Sequence, residues 1–486
     1  MKFNEVMSVV SNQKLTENGA IAYSTLNNPL LDLFAQAGAL RPRTEKEIED
    51  KFEAAFNTDK GLALKMLFYI GNIRGGLGER RTFRTCLKWL ARNYPLHVVD
   101  NLENIPKFNR WDSVFELIGT PVESEVVDMV KCQLVNDIKA MNEGRPCSLM
   151  AKWMPSINTS SAETREKAKF LVNVIGATPR TYRKALSDLR KYIRVTERLM
   201  SKQEWDKIDY EAVPAKAMAQ YTNAFLRHDT QRFGEYYEAL CEGKAKVNAA
   251  TLYPYDLVKN YCYWNRGQKN LLADEQWNSL PNYVDGEHNV VVMADVSGSM
   301  TGRPMETSIG LAIYFAERNK GDYHNLYMTF TDEPHFIKLH EGMTLKKKVQ
   351  EVMHTDVGFN TNLEKAFSYI LEHAIYYHVD PEDMPEALVV ISDMEIDRMK
   401  ENHGQYSFID TMRKYFEEEG YKLPKIVLWN VEARNDTFLH PHEDVIYVSG
   451  QSPSTFKSFL GALKGETAWD VMVKTLNDPM YDSVVL

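Results

Sequence analysis

What most constrains this chain is a change in the spacing of its apolar residues, close to residue 285 of 486. Up to about residue 265, apolar side chains recur every three or four positions and strand-like alternation is almost absent, which predicts helix after amphipathic helix. Phe83, Leu87 and Leu90 make one stripe, Leu62, Met66 and Tyr69 another, and Tyr182, Leu186, Leu189 and Ile193 a third. Breaks fall at Gly75, Gly76 and Gly78, at Pro95, at Gly119 to Pro121, at Gly144 to Pro146, at Gly176 to Pro179 and at Pro214. Short links favour antiparallel neighbours, so residues 1–284 are expected to form an all-α, HEAT-like stack of right-handed helical hairpins with no strict repeat period.

The segment LLADEQWNSLPNYVDG loses the helical period and gathers turn residues. Beyond it come five short, β-rich runs: Val290 to Ala294, Leu326 to Phe330, Ala387 to Ile391, Ile426 to Trp429 and Val445 to Val448. Helical stretches separate most of them, notably Pro304 to Asn319 and Asn362 to Tyr377. Unbroken apolar strands alternating with amphipathic helices predict a mainly parallel sheet covered on both faces. Residues 285–486 therefore read as a doubly wound, Rossmann-like α/β domain.

With 44% of its residues hydrophobic, the chain has material for two or more cores. No run approaches the roughly 20 apolar residues of a membrane span, and MKFNEVMSVVSNQKL lacks the apolar centre of a signal peptide, so a cytoplasmic protein without a membrane partner is expected. Cys86, Cys132, Cys147, Cys241 and Cys262 form no CxxC arrangement and read as reduced thiols. From Asp285 onward there are 18 Lys and Arg against 33 Asp and Glu, a net of −15; the 40 against 34 before it give +6, which together make the chain's −9. Charges so divided predict different partners for the two parts, or an attraction between them.

In open α/β sheets, ligands bind beyond the carboxyl ends of the strands. The first run delivers Asp295-Val296-Ser297-Gly298-Ser299, the Ala387 to Ile391 run delivers Ser392-Asp393, and the loop Gly358 to Asn362 brings Thr361 to the start of a long helix. Hydroxyls and carboxylates are hard donors, suited to Mg²⁺ or Mn²⁺ and not to zinc. An isolated DxSxS also reads as a helix N-cap. DVSGSM at 295–300, Thr361 in GFNTNLEKAF and Asp393 in VISDMEID resemble, residue by residue, the metal-ion-dependent adhesion site of von Willebrand factor A domains. The resemblance implies that Ser297 and Ser299 ligate the metal directly, Thr361 when ligand is bound, and Asp295 and Asp393 largely through water. A ligand carboxylate or other anionic oxygen would complete the shell.

The helical part has its own resemblance. GNIRGGLGERRTFRTCLKWLA at 71–91, KFNRWDSVFEL at 107–117, SLMAKWMPSINTSS at 148–161 and YRKALSDLRKYIRVTERLM at 182–200 are similar to the Ro-type, or TROVE, module, while VPAKAMAQYTNAFLRHDTQRF at 213–233 is nearer to an uncharacterised relative with the same order of domains. Ro-type proteins close helical repeats into a ring and bind RNA. The resemblance implies an RNA partner, structured or single-stranded, of the small non-coding or misfolded kind.

The residues point the same way less specifically. Between Cys147 and Gly234 there are 16 Lys and Arg against 9 Asp and Glu, concentrated on one expected helix where Arg183, Arg190, Arg194 and Arg198 share a stripe beside Lys184 and Lys191. Such a stripe, with Tyr182, Tyr192 and Trp153 nearby, suits phosphates and bases; it equally suits a solvated face or a dock for the acidic part. Arg74, Arg80, Arg81 and Arg84 gather at the glycine-rich turn, which is neither a phosphate-binding nor a dinucleotide loop, and Lys107, Arg110 and Lys152 are weaker members of the same surface. His228-Asp229 has no companion His or Asp that makes a metal site convincing, and His440, His442 and Glu443, which could bind metal, sit between two expected strands and read as a surface turn. The expected function is a non-catalytic RNA-binding scaffold with a divalent-metal site; the alternative is a metal-dependent protein adaptor that captures a partner's acidic residue and does not use RNA. A hydrolase would need a general base that the sequence does not place.

Overall fold

The apolar run Val290–Ala294 (β3), which opens on three β-branched valines, has every side chain buried, as expected of a strand covered on both faces. In the computed structural model, which describes residues 12–17, 21–265, 270–284, 289–331, 333–354, 363–395, 408–438, 445–463 and 465–486, this strand lies inside a six-stranded sheet. Its companions are β4 (Leu326–Thr329), β5 (Phe336–Lys338), β6 (Ala387–Ser392), β7 (Lys425–Asn430) and β8 (Val445–Ser449). The order is β5-β4-β3-β6-β7-β8, parallel throughout except for β5, an antiparallel edge that sequence reading does not anticipate. An N-terminal ribbon, β1 (Gln13–Leu15) with β2 (Ile21–Tyr23), was likewise unforeseen. These strands are too short to show a periodicity of their own.

Alternate residues of the sheet pack on opposite layers. Val291, Met293, Leu388, Val390 and Leu428 join Phe367, Ile370 and Ala374 of the helix Leu363–Tyr377 in one core. On the other side Trp429 meets Phe315 of the helix Arg303–Ala316, ring centroids 5.8 Å apart. That helix is buried almost all round, because a second layer covers it: a Cβ on Gly310 would lie 2.9 Å from Cβ of Pro254 and 3.0 Å from its carbonyl carbon.

The described residues gather into two compact units, 1–59 with 249–476 and 60–248 with 477–486. The boundary expected at 284/285 lies inside the first. Residues 249–284 pack on the α/β layers through polar anchors: the Trp264 indole donates to Glu306 at 2.9 Å, the Trp277 indole to Glu317 at 2.8 Å, and the Tyr314 hydroxyl to the Pro281 carbonyl at 2.6 Å. Indoles at the rim of a helical pattern look like core residues of that pattern until their N–H partners are known.

The second unit is helical. Ser161 and Thr178 cap the helices Ala162–Ile175 and Pro179–Tyr192 by accepting the N3 amides, and Gly176, at φ +75°, ends the first in the left-handed conformation glycine favours. Phe68 packs on Phe83 and Phe108, and Tyr481 from the last ten residues closes on Phe108 and Tyr69. Among the described residues no helix is long and apolar enough to cross a membrane.

Candidate functional site

Chain order reverses between β3 and β6: the path leaves β3 toward β4 on one side and returns to β6 on the other. At such a switch point neighbouring crossovers diverge and leave a crevice at the carboxyl ends of the strands. Ala294 is paired with Ile391, so Asp295 and Asp393 emerge side by side from adjacent parallel strands.

The geometry around them is tight. Asp295 is 2% exposed and Asp393 3%. The Asp295 carboxylate accepts from the Ser297 amide at 2.9 Å and from the Ser392 hydroxyl at 2.8 Å, and the same hydroxyl lies 3.5 Å from Asp393 Oδ1. Oδ1 of Asp393 also accepts the Glu395 amide at 3.2 Å. The hydroxyls of Ser297 and Ser299 lie 3.1 Å apart on a turn that is 3-10 helical over Gly298–Met300. Burial pushes the Asp295 carboxyl up to about 6; the Ser297 and Ser392 bonds pull the other way, and the charge on Asp393 pushes further up. The result is two buried carboxylates in mutual repulsion beside two converging hydroxyls, an all-oxygen set of hard donors. Among the described residues no three His, Cys, Asp or Glu side chains gather as a metal-binding group. Thr361 lies outside the described residues, as do His440, His442 and Glu443.

Ser392, which the sequence places beside Asp393 without a role, is the hydroxyl between the two carboxylates. Two further residues escape motif reading. Arg434 donates through Nη2 to Oδ2 of Asp393, and Glu432, whose carboxyl burial pushes upward, lies two residues before it. A usable signal existed, since Asn430 pairs with Ser392 and the loop after β7 must leave the sheet beside Asp393.

The expected basic stripe is not assembled. The helix ends at Tyr192, Arg194 takes φ +51°, and Arg198 belongs to a separate helix, Thr196–Ser201, and faces Glu204 at 3.6 Å. Arg190 points inward: Nε donates to the Ala151 carbonyl at 2.8 Å, Nη2 to the Met154 carbonyl at 2.8 Å and Nη1 to the Ser156 hydroxyl at 2.9 Å. It therefore closes the carboxyl end of the short helix Met150–Trp153. Arg183, Lys184, Lys191 and Arg194 remain exposed.

The second basic group is also partly spent. Arg84 pairs with Asp112 at 2.9 Å, and Arg110 pairs with Asp112 and lies 4.0 Å above the Trp153 ring, which Lys152 approaches to 5.5 Å. Lys107 donates to the Ser483 hydroxyl at 2.5 Å. Arg74, Arg80 and Arg81 are exposed around the glycine turn. The turn itself is a tight helix connection: Oδ1 of Asn72 accepts the amides of Arg74 and Gly75, and a Cβ on Gly76 would lie 2.1 Å from the Tyr69 carbonyl oxygen. His228 stacks on Trp205 with centroids 4.6 Å apart, and Asp229 accepts the Tyr210 hydroxyl at 2.7 Å, so neither is set aside for a ligand.

Comparison with known proteins gives similarity without a described function. A domain of unknown function, DUF2828, matches residues 16–111 and 160–286, and another, DUF7788, matches residues 289–480. An uncharacterized protein of Acanthamoeba polyphaga mimivirus is 29% identical, over 93% of this chain and 85% of its own length. Among solved structures, the Ro (RSR) protein of Deinococcus radiodurans aligns over 92% of both chains, with 14% identity and a TM-score of 0.37.

Proposed function

We propose that this protein is a non-catalytic binding scaffold whose α/β unit captures an anionic oxygen of a partner through a divalent cation, in the manner of a von Willebrand factor A domain. The observation behind this reading is the pair of buried, mutually repelling carboxylates, Asp295 and Asp393, at a switch point with the hydroxyls of Ser297 and Ser299 beside them. Arg434 pairs with Asp393 and among the described residues leaves Asp295 with neutral donors alone, so the buried pair is only partly compensated, and an all-oxygen set favours Mg²⁺ or Mn²⁺. Ser297 and Ser299 would ligate directly, Thr361 would join when ligand is bound, and Asp295 and Asp393 would act through water. With only two carboxylates the ion keeps positive charge for a ligand's acidic oxygen. Titration of the full chain with Mn²⁺ tests this: binding is expected in the wild type and lost in Asp295→Ala, and equal binding by the two would sink it.

A second binding activity, toward RNA, is proposed for the helical unit. It is favoured by the exposed side chains of Arg183, Lys184, Lys191 and Arg194 within a stretch of net charge +7, and by the sequence resemblance to Ro-type proteins. Such binding is expected to weaken steeply with salt and to survive Asp295→Ala. If the wild type ignores a structured RNA with a single-stranded tail at low salt, the scaffold is a protein adaptor alone.

A further inference from the structure

The cation present at the candidate site belongs to the chain itself. Arg434 donates to Oδ2 of Asp393, whereas among the described residues Asp295 receives only neutral donors. The pairing follows from the topology. Val431 extends the β6–β7 ladder by one bond, its amide donating to the Ser392 carbonyl at 3.1 Å. The chain then turns back, with the Glu432 amide on Asn430 Oδ1 at 2.9 Å and the Arg434 amide on the Glu432 carbonyl at 3.1 Å.

How the guanidinium is held separates it from a structural arginine. Arg190 has all three of its nitrogens bonded, to acceptors at 2.8 to 2.9 Å. Nε of Arg434 is buried with no hydrogen-bond partner among the described residues, and its side chain is 31% exposed. Among the described residues it has one acid besides Asp393 within pairing distance, Glu17, whose Oε2 lies 3.9 Å from Nη1. Glu17 is itself fixed at this spot: its amide donates to Glu395 Oε2 at 2.7 Å, and Asn435 bridges it to Glu395 at 2.9 and 3.1 Å. The guanidinium thus has a second acid beside it, already in place, to receive it when it leaves Asp393.

We propose that Arg434 is a displaceable internal counter-cation that takes the place of the metal at Asp393, so that a divalent ion binds only by driving the guanidinium off toward Glu17. The inference rests on the metal-binding reading of the site. Two positive charges within a few ångströms repel in a poorly solvated crevice, so the free energy of breaking the Arg434–Asp393 pair is subtracted from the affinity for the ion. Metal occupancy in this protein is then set low at rest by a residue outside the ligand set.

The experiment is a Mn²⁺ titration of the full-length chain, with free Mn²⁺ followed by electron paramagnetic resonance, for wild type, Arg434→Gln, Arg434→Lys and Asp295→Ala. Arg434→Gln is expected to bind about tenfold or more tightly than wild type, the scale on which groups beside a metal site act. Arg434→Lys, which keeps the charge but loses the fork, is expected to fall between them, and serves if the glutamine variant does not fold. Equal affinities in wild type and both Arg434 variants, with loss in Asp295→Ala, would overturn the counter-cation and leave the metal site standing. Absence of binding in wild type and in the Arg434 variants alike would overturn both.

Discussion

The two units treat charge in opposite ways. At the crevice of the α/β unit, two carboxylates are buried beside each other and the electrostatic cost is only partly offset, with Asp295 held up at about 6. In the helical unit, charges that look available along the sequence are already satisfied at home: Arg190 on three acceptors, Arg84 and Arg110 on Asp112. Uncompensated charge inside a fold is costly and points to a missing partner, whereas compensated charge is part of the scaffold. A count of lysines and arginines cannot distinguish the two.

The largest effect is expected from the segment that closes the helical unit. Tyr481 is 1% exposed, packs on Phe108 and Tyr69, and its hydroxyl accepts from Asn72 at 3.1 Å. Tyr481→Ala should cost about 3–5 kcal/mol, read by urea unfolding monitored in that unit.

Next comes the pH dependence of the metal-free protein. The Asp295 carboxyl is raised from 3.8 to about 6 in the folded state, so its contribution to stability is fully present below about pH 4 and is lost as pH rises through 6. The loss should approach about 3 kcal/mol by neutral pH. Stability curves at several pH values for wild type and Asp295→Asn check it, and an unchanged slope in the variant would remove the argument for an uncompensated charge.

Arg190→Ala should destabilise the helical unit by about 2–3 kcal/mol, since it leaves two carbonyls and a hydroxyl without their donor. Thermal melts of Arg190→Ala and Lys184→Ala give the direct comparison, with the exposed lysine expected to change stability by less than about 0.5 kcal/mol. The smallest effect is on binding. Removing Arg183, Lys184, Lys191 and Arg194 together should weaken RNA association by about tenfold at low salt and flatten its salt dependence, with the melt unchanged.

Much of the α/β unit is legible in the sequence. Unbroken apolar runs of four to six residues can hardly be anything but covered strands, and their observed limits at Val290–Ala294 and Ala387–Ser392 fall within one residue of the reading. The DxSxS turn and Asp393 were also readable, because topology alone sends the ends of adjacent parallel strands to one place. Arg434 was not, since it belongs to no motif and acts only because Asn430 registers with Ser392. The basic stripe failed for a local reason: the backbone at Arg194 turns left-handed, which a helical wheel drawn through YRKALSDLRKYIRVTERLM has no means of registering. Residues 249–284 are helical in their sequence pattern yet pack on the α/β layers, because helical periodicity tells which face is apolar but not which layer it meets.

Because each unit is assembled from separated stretches, the order of synthesis matters. The Gly38 amide donates at 2.9 Å to the hydroxyl of Ser449, 411 residues further along. At roughly 5–20 residues per second, the early segment waits on the order of 20–80 seconds after leaving the ribosome before the strand it rests on exists. Throughout that interval the apolar face of the helix Pro29–Gln36, with Leu30, Leu33 and Phe34, has no sheet to cover it. Folding of this protein during translation is therefore expected to leave part of this helix without its final cover for a long interval, and its yield in cells to depend on chaperones that hold such surfaces.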